Sequence, residues 1–378
     1  MDNTEFIVTG AAGHLGSCVV RALLTQGRRV RALVLPNETC PEFIDINIEL
    51  LKEYTGDICA PASLAPVFED GAQGELIVIH CAGIISITKK EDRRVYDVNV
   101  GGTKNIIEMC KRYHVKRLVY VSSVHAIPSL PHGQTIREVH TFDPGAVPGY
   151  YDKTKAIATQ MVLDAAADGL DAVVVHPSGI IGPHGLPTGN MARLISLYIR
   201  GKLPAAVRGG FDFVDVRDVA EGVVAAALKG TSGECYILSN RFVKIKEMLD
   251  ILSKTRNDPK AGTGKTADDP LSCDEINSSI RRSGRARQRT VPYLVYLPLW
   301  AAKAVTPFTE IYYRITRKTP LFTRYSLNTL SENAVFSHEK ASSKLNYLTR
   351  PLRETLTDTA LWIKMQDRRD GGRFSVLR

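Results

Sequence analysis

Tyr151 and Lys155 stand four residues apart in the run Tyr150-Tyr151-Asp152-Lys153-Thr154-Lys155. On a helix that spacing puts phenol and ammonium on one face. Tyr150 has Thr154 at the same spacing, so only Tyr151 has a cationic neighbour. A phenol with a pKa of about 10 is a poor base at neutral pH. A nearby ammonium favours the phenolate and brings the group closer to acid–base work. The same pair also occurs on ordinary helix surfaces, so spacing alone leaves both readings open. A second chemical feature is the turn Thr9-Gly10-Ala11-Ala12-Gly13-His14-Leu15-Gly16. Glycines let backbone and ligand approach closely. The free amides and positive dipole end of a following helix suit a pyrophosphate. The spacing is Gly-x-x-Gly-x-x-Gly, and a plain tight turn between strand and helix would use the same residues.

The elements around these residues are legible. Phe6-Ile7-Val8 reads as a buried strand before the glycine turn, and Val19, Val20, Leu23 and Leu24 recur at helical spacing after it. Gly27 suits a helix C-terminus. Val30 to Leu35, Ile46 to Tyr54, Leu76 to Ile79, Leu118 to Val121, Ala172 to His176 and Glu234 to Leu238 read as strands. Helical patterns fall at Val98 to His114 and at residues 216 to 228. Strands separated by such helices predict an α/β fold, a doubly wound parallel sheet with helices on both faces. Ligands bind beyond the carboxyl ends of such strands, where all these motifs fall.

Composition sets bounds. The 378 residues suit one large α/β domain with an appended lobe. Seven scattered cysteines with no C-x-x-C pair predict reduced thiols in a cytoplasmic protein. The first strand begins at once, which leaves no room for a signal peptide. Of the net charge of +9, the stretch Ser253–Thr290 holds +4 and Lys364–Arg378 holds +3. Basicity therefore belongs to an insert and a tail, and no nucleic-acid partner is expected. Lys254 to Arg289 is too poor in apolar residues to offset its ordering entropy, so a disordered insert is expected at 254–290. Val291 to Phe308 is apolar but interrupted by prolines and Lys303, so it is no membrane span. It suits a greasy substrate cavity, a membrane-surface contact or ordinary packing.

Seven segments occur in order: the glycine turn, Gly56-Asp57-Ile58, His80-Cys81-Ala82-Gly83, Val98-Asn99-Val100, Val121-Ser122-Ser123, Tyr151-x-x-x-Lys155 and Pro177-x-x-Ile180-x-Gly182-Pro183. Together they resemble the extended short-chain dehydrogenase/reductase family, also described as NAD-dependent epimerase/dehydratase proteins. The likeness runs from residue 5 to about 230 and resumes at Phe336 to Ala341 and Leu345 to Tyr347. It implies an NAD(P)-binding Rossmann core at 1–182 plus 211–240. A substrate lobe would follow at 183–210 and 241–350, and a C-terminal helix and basic tail at 351–378. It implies Tyr151 as general acid/base, Lys155 as the group that lowers its pKa and holds the nicotinamide ribose, and Ser123, in preference to Ser122, on the substrate oxygen. Gly10, Gly13 and Gly16, with His14 and Leu15, would carry the pyrophosphate. Asp57 and Ile58 would flank the adenine, with Cys81, Ala82, Gly83 and Pro177 along the coenzyme. Asn99 would brace the sheet. His80 and His125 are candidates for polar contacts, with a structural histidine the first reading of each. A homodimer is consistent with the family.

Two departures narrow the branch. An Asp, Glu or Arg at the end of the second strand distinguishes NAD from NADP. Here Val34-Leu35-Pro36 stands there, so the choice stays open. Family members that handle nucleotide sugars commonly carry an Arg before the aromatic-Val-x-Val segment. Here Phe211 holds that position, and a phenyl ring cannot grip a diphosphate. Arg208 and Arg217 are the residues that would compensate. A dehydratase would need an added acid where Val124-His125 stands. The expectation is an oxidoreductase for a secondary alcohol or ketone on an apolar small molecule, similar to 3β-hydroxysteroid dehydrogenases and dihydroflavonol reductases. The alternatives are a nucleotide-sugar epimerase or dehydratase, and a non-catalytic coenzyme sensor.

Overall fold

The computed structural model describes residues 4–41, 44–69, 75–86, 90–184, 190–203, 205–257, 294–306 and 323–369. The expected insert at 254–290 falls almost wholly outside them, as does the tail beyond 369. The chain divides into two compact units.

The first unit comprises residues 1–180, 211–242 and 328–350. Its centre is a seven-stranded sheet. The strands β1 (Glu5–Thr9), β2 (Arg29–Val34), β3 (Leu51–Thr55), β4 (Leu76–His80), β5 (Arg117–Val121) and β6 (Ala172–Pro177) are joined by Cys235–Leu238 at the edge beyond β6. The spatial order is Cys235–Leu238, β6, β5, β4, β1, β2, β3, and every pairing is parallel. Parallel strands covered on both faces must be apolar throughout. Leu76–His80 and Ala172–Pro177 are buried at every position. Helix α1 (His14–Thr25) buries Val19, Val20, Leu23 and Leu24. Gly27, at φ +67°, follows its end and donates to Leu24 O at 2.9 Å.

The order reverses between β1 and β4, which lie in register with Thr9 opposite His80. A crevice opens where strand order reverses, at the carboxyl ends of those strands. The glycine turn leaves β1 at that point, and Cys81-Ala82-Gly83 leaves β4.

Two local elements differ from the sequence reading. The third strand is Leu51–Thr55, preceded by a single helical turn at Ile48–Leu50. Asn47 takes a left-handed conformation there (φ +48°) and its side-chain amide donates to Leu24 O at 2.7 Å. The helical stretch Val98 to His114 is a wide π-helical stretch, Asp97–Gly102, followed by an α-helix, Thr103–Arg112.

Residues 328–350, placed with the substrate lobe from sequence, lie in the first unit. Phe336 bridges to Ile136, and Ala341, Leu345 and Tyr347 join the main apolar core. That burial holds the segment.

The second unit comprises residues 181–210, 243–327 and 351–378. It contains the helices Asn190–Ile199, Ile245–Asn257 and Leu352–Arg369. Ala205–Val207 and Val295–Leu297 pair in parallel. Within the apolar stretch noted in the sequence, residues 299–306 are helical. Ala302 and Thr306 are buried there, while Trp300 is 75% and Val305 52% exposed. Among the described residues no helix is long and apolar enough to cross a membrane.

Candidate active site

The end of β5 presents two serines with different surroundings, because successive residues in extended chain face opposite sides. Ser122 is buried against the helix Tyr150–Ala167, its hydroxyl 2.6 Å from Thr159 Oγ1. Ser123 is on the other side, hydrogen-bonded to the Tyr151 hydroxyl. It also accepts from the backbone N–H of His125 at 3.2 Å. Its carbonyl is 2.9 Å from His176 Nδ1.

Tyr151 sits in the first turn of the helix Tyr150–Ala167. That helix starts at Gly149, whose N–H donates to Asp152 Oδ2 at 2.8 Å. A carboxylate that returns to the N-terminal amide fixes the start of a helix and so the direction of its first turn. Tyr151 and Lys155 are both 6% exposed. Lys155 Nζ donates to Val121 O at 2.9 Å and to the Tyr120 hydroxyl at 3.3 Å, over the Tyr120 ring.

Burial decides the titration of both groups. It pushes the Tyr151 phenol upward, and the Ser123 hydrogen bond opposes this. It pulls the Lys155 ammonium down to about 8. The expected one-to-one effect of Lys155 on Tyr151 is therefore not what dominates. In this arrangement the ammonium is engaged by Val121 O, and desolvation of the phenol is the larger influence.

The coenzyme-side residues surround the crevice. Gly13 starts α1 with no side-chain cap, and no acid stands in the first turn. Those amides and the helix dipole are thus left for an anion. Gly10 has φ +66°, and a Cβ there would lie 2.9 Å from the Ala82 backbone. A Cβ on Gly16 would lie 2.1 Å from Gly10 O. Both glycines are required by the packing of the turn itself. A Cβ on Gly83 would approach Asn99 Oδ1 at 3.2 Å and Lys155 Nζ at 3.6 Å, so this loop passes close to the lysine. His14 and Leu15 are half-buried at the turn.

After β3, the Asp57 carboxylate accepts from Cys59 N at 2.8 Å. Ile58 is buried, and its carbonyl accepts from Asn105 Nδ2 at 2.7 Å. Pro177 ends β6 opposite Leu238. Residues from the glycine turn, the β4 loop, the end of β5 and the helix Tyr150–Ala167 thus meet along one edge of the sheet. An uncapped helix start, a loop stripped of side chains and a buried lysine suit a nicotinamide dinucleotide. The glycine turn would hold its pyrophosphate and Lys155 its ribose. When bound, the dinucleotide accepts or gives hydride.

His80 and Asn99 have structural tasks. His80 lies 2.7 Å from Thr9 Oγ1 and 3.1 Å from Thr103 Oγ1, and burial lowers its pKa to about 3, so it is neutral. Thr9 Oγ1 in turn accepts from Ala82 N at 3.2 Å, so His80 ties the glycine turn to the β4 loop. Asn99 grips both the N–H and the carbonyl of Ile84, at 2.8 and 2.9 Å, and donates to Thr154 Oγ1 at 3.1 Å. The π-helical stretch is what aims it there, since an added residue in a helical turn rotates the side chains around it.

Beside Tyr151 lies an aromatic wall. Phe211 stacks on His125, with centroids 5.6 Å apart and planes at 11°. It meets Phe336 edge-on at 6.0 Å and Phe213 at 6.1 Å. Phe336 has no helical or strand pattern in common with the other site residues, and only the return of residues 328–350 to this unit brings it here. Arg217, one of the residues considered as a substitute phosphate ligand, is held by both oxygens of buried Asp215 at 3.0 and 2.8 Å. Among the described residues no group of His, Cys, Asp and Glu is arranged to hold a metal ion.

Residues 6–239 match the NAD dependent epimerase/dehydratase family. The chain belongs to that family. Sterol demethylase protein B of Methylococcus capsulatus is 33% identical over 256 residues, which cover 67% of this chain and 75% of that protein. A putative dihydroflavonol 4-reductase of Synechocystis is 34% identical, over 66% of this chain and 71% of the relative. The crystal structure of gox2253 superposes with a TM-score of 0.73 at 27% identity, covering 97% of this chain and 99% of that one. The NAD complex of dTDP-glucose 4,6-dehydratase from Bacillus anthracis superposes at 0.67, covering 97% of this chain and 98% of that one, at 19% identity, and so is alike in fold. The protein is thus an oxidoreductase that uses a nicotinamide dinucleotide.

Proposed function

We propose that the enzyme moves hydride between NAD and a secondary alcohol or ketone on an apolar, steroid- or flavonoid-like molecule. Tyr151 exchanges the proton of the reacting oxygen, and Ser123 holds that oxygen. Lys155 holds the coenzyme ribose and adds positive charge near the phenol. The observation that carries the substrate class is the stack of Phe211 on His125 next to Tyr151. A ring packed there takes the place of the guanidinium, Arg217 is held by Asp215, and aromatic faces favour an apolar frame. Relatives named for sterol and dihydroflavonol chemistry support the same class. The intact Ser123, Tyr151 and Lys155 set speaks against a non-catalytic sensor.

The preference for NAD over NADP rests on the residues beyond β2. Leu35 is 43% exposed there, and Pro36, Asn37 and Glu38 follow, with no Lys or Arg from Val34 to Cys40. Nearby Glu53 accepts from Cys40 N at 3.1 Å, which adds negative charge on that side. A 2′-phosphate needs a cation. The six described cysteines are all free, which supports a cytoplasmic setting.

The test is turnover of reduced coenzyme by the purified protein with steroid and flavonoid ketones, alongside calorimetric titration with UDP-sugars. Oxidation of NADH by the ketones and no heat from the UDP-sugars are expected. Tight UDP-sugar binding would move the protein to the epimerase branch.

A further inference from the structure

Proton exchange at Tyr151 leaves one neighbouring imidazole unused. The ring of His125 stands edge-on to Tyr151, with centroids 6.0 Å apart and planes at 69°. One of its faces lies on Phe211. Its Nδ1 is 3.5 Å from Asp152 Oδ1. The Asp152 side chain is 2% exposed and that of His125 28%. Asp152 is not free to turn away, because its other oxygen accepts from Gly149 N and fixes the start of the catalytic helix.

A carboxylate beside Nδ1 selects the tautomer that carries its proton on Nδ1. In that tautomer Nε2 is the acceptor. Asp152 takes the Nδ1 edge and Phe211 takes one face, which leaves the Nε2 side and the other face. His125 thereby puts one polar acceptor beside the aromatic cluster of Phe211, Phe213 and Phe336.

We propose that His125 is a specificity-determining residue that accepts, through Nε2, a hydrogen bond from a second hydroxyl of the substrate. Preferred substrates then carry, on an apolar frame, a free hydroxyl close to the reacting carbon. Asp152 is a positioning residue that acts through His125. A substrate carboxylate at this place would face the negative charge of Asp152 and is disfavoured. The inference rests on the reading of the site as one for apolar alcohols and ketones.

The experiment compares oxidation of three steroids by NAD: a simple secondary alcohol, the same frame with a hydroxyl on the adjacent carbon, and the same frame with a carboxylate there. Wild type, His125→Phe and His125→Gln are measured, with melting temperatures to follow folding. In wild type the diol is expected to exceed the simple alcohol about three- to tenfold in kcat/KM, mostly through KM, as one neutral hydrogen bond allows. The ratio should fall to about one in His125→Phe, which keeps an aromatic ring on Phe211 but has no acceptor. It should return in His125→Gln, whose amide oxygen accepts. An equal ratio in wild type and His125→Phe, or a preference for the carboxylate, overturns the proposal. Failure of wild type to oxidise any of the three overturns the reading of the site on which it stands.

Discussion

Tyr151 and Ser123 are separated by a long stretch of chain, yet share a hydrogen bond in a place where both are almost fully buried. Under the proposed function that pair bears the proton transfer, so Tyr151→Phe should lower kcat by about 10²- to 10⁴-fold, the usual worth of a general acid–base group. NADH binding, followed by fluorescence, should persist. Lys155 gives the pH dependence. Burial holds its pKa at about 8, so the ammonium is present below that pH and is lost above it. The rate is expected to fall as pH rises through about 8. Lys155→Arg, whose guanidinium stays charged, should move that limb to higher pH in initial-rate profiles. The serine choice shows the limit of sequence at this scale. Ser122 and Ser123 are the same residue type, and only strand alternation and the position of Thr159 separate them.

The glycine turn and the start of α1 work as one element. Because a Cβ at Gly16 would lie 2.1 Å from the Gly10 carbonyl, Gly16→Ala must displace the turn. It should cost a few kcal/mol of stability and abolish coenzyme binding, read by thermal melts and by titration with NADH. The strand Gly210–Asp215 carries a second element-scale device. Asp212 is fully buried. Its Oδ1 accepts from Ser178 Oγ at 2.5 Å and from Asn240 N at 3.1 Å, while its Oδ2 has no partner. Desolvation raises its pKa from 3.8 to about 6. The folded chain therefore holds this proton more tightly than the unfolded chain. The stabilisation is complete below about pH 4 and is lost as pH rises through about 6. The melting temperature of Asp212→Asn minus that of wild type should accordingly increase across this window. A flat difference would mean that Asp212 titrates like an exposed acid.

At the scale of the whole molecule, the coenzyme reading ties together β1, β4, β5 and the helix that carries Tyr151. A ligand that binds only the folded chain stabilises it by about 2.7 kcal/mol at a hundred times its dissociation constant. NAD should therefore raise the melting temperature more than NADP at equal concentration, given the lack of a cation from Val34 to Cys40. A larger shift with NADP would reverse the coenzyme assignment. Of the net charge of +9, the stretches Ser253–Thr290 and Lys364–Arg378 hold +7.

By itself the sequence determined the parallel α/β core, the glycine turn, and the Tyr151 and Lys155 pair. Each is written in local pattern: buried strands are continuous apolar runs, helix faces repeat at fixed spacing, and glycine marks close approach. The family resemblance also implied that Phe211 stands where nucleotide-sugar members carry an arginine. Tertiary structure alone decided three further points: that Lys155 is engaged by Val121 O and Tyr120, that Phe336 returns to the site wall, and that Asp152 stands behind His125. Such contacts join residues remote in the chain or set by side-chain direction. Their energies depend on burial and distance, quantities that no local repeat encodes.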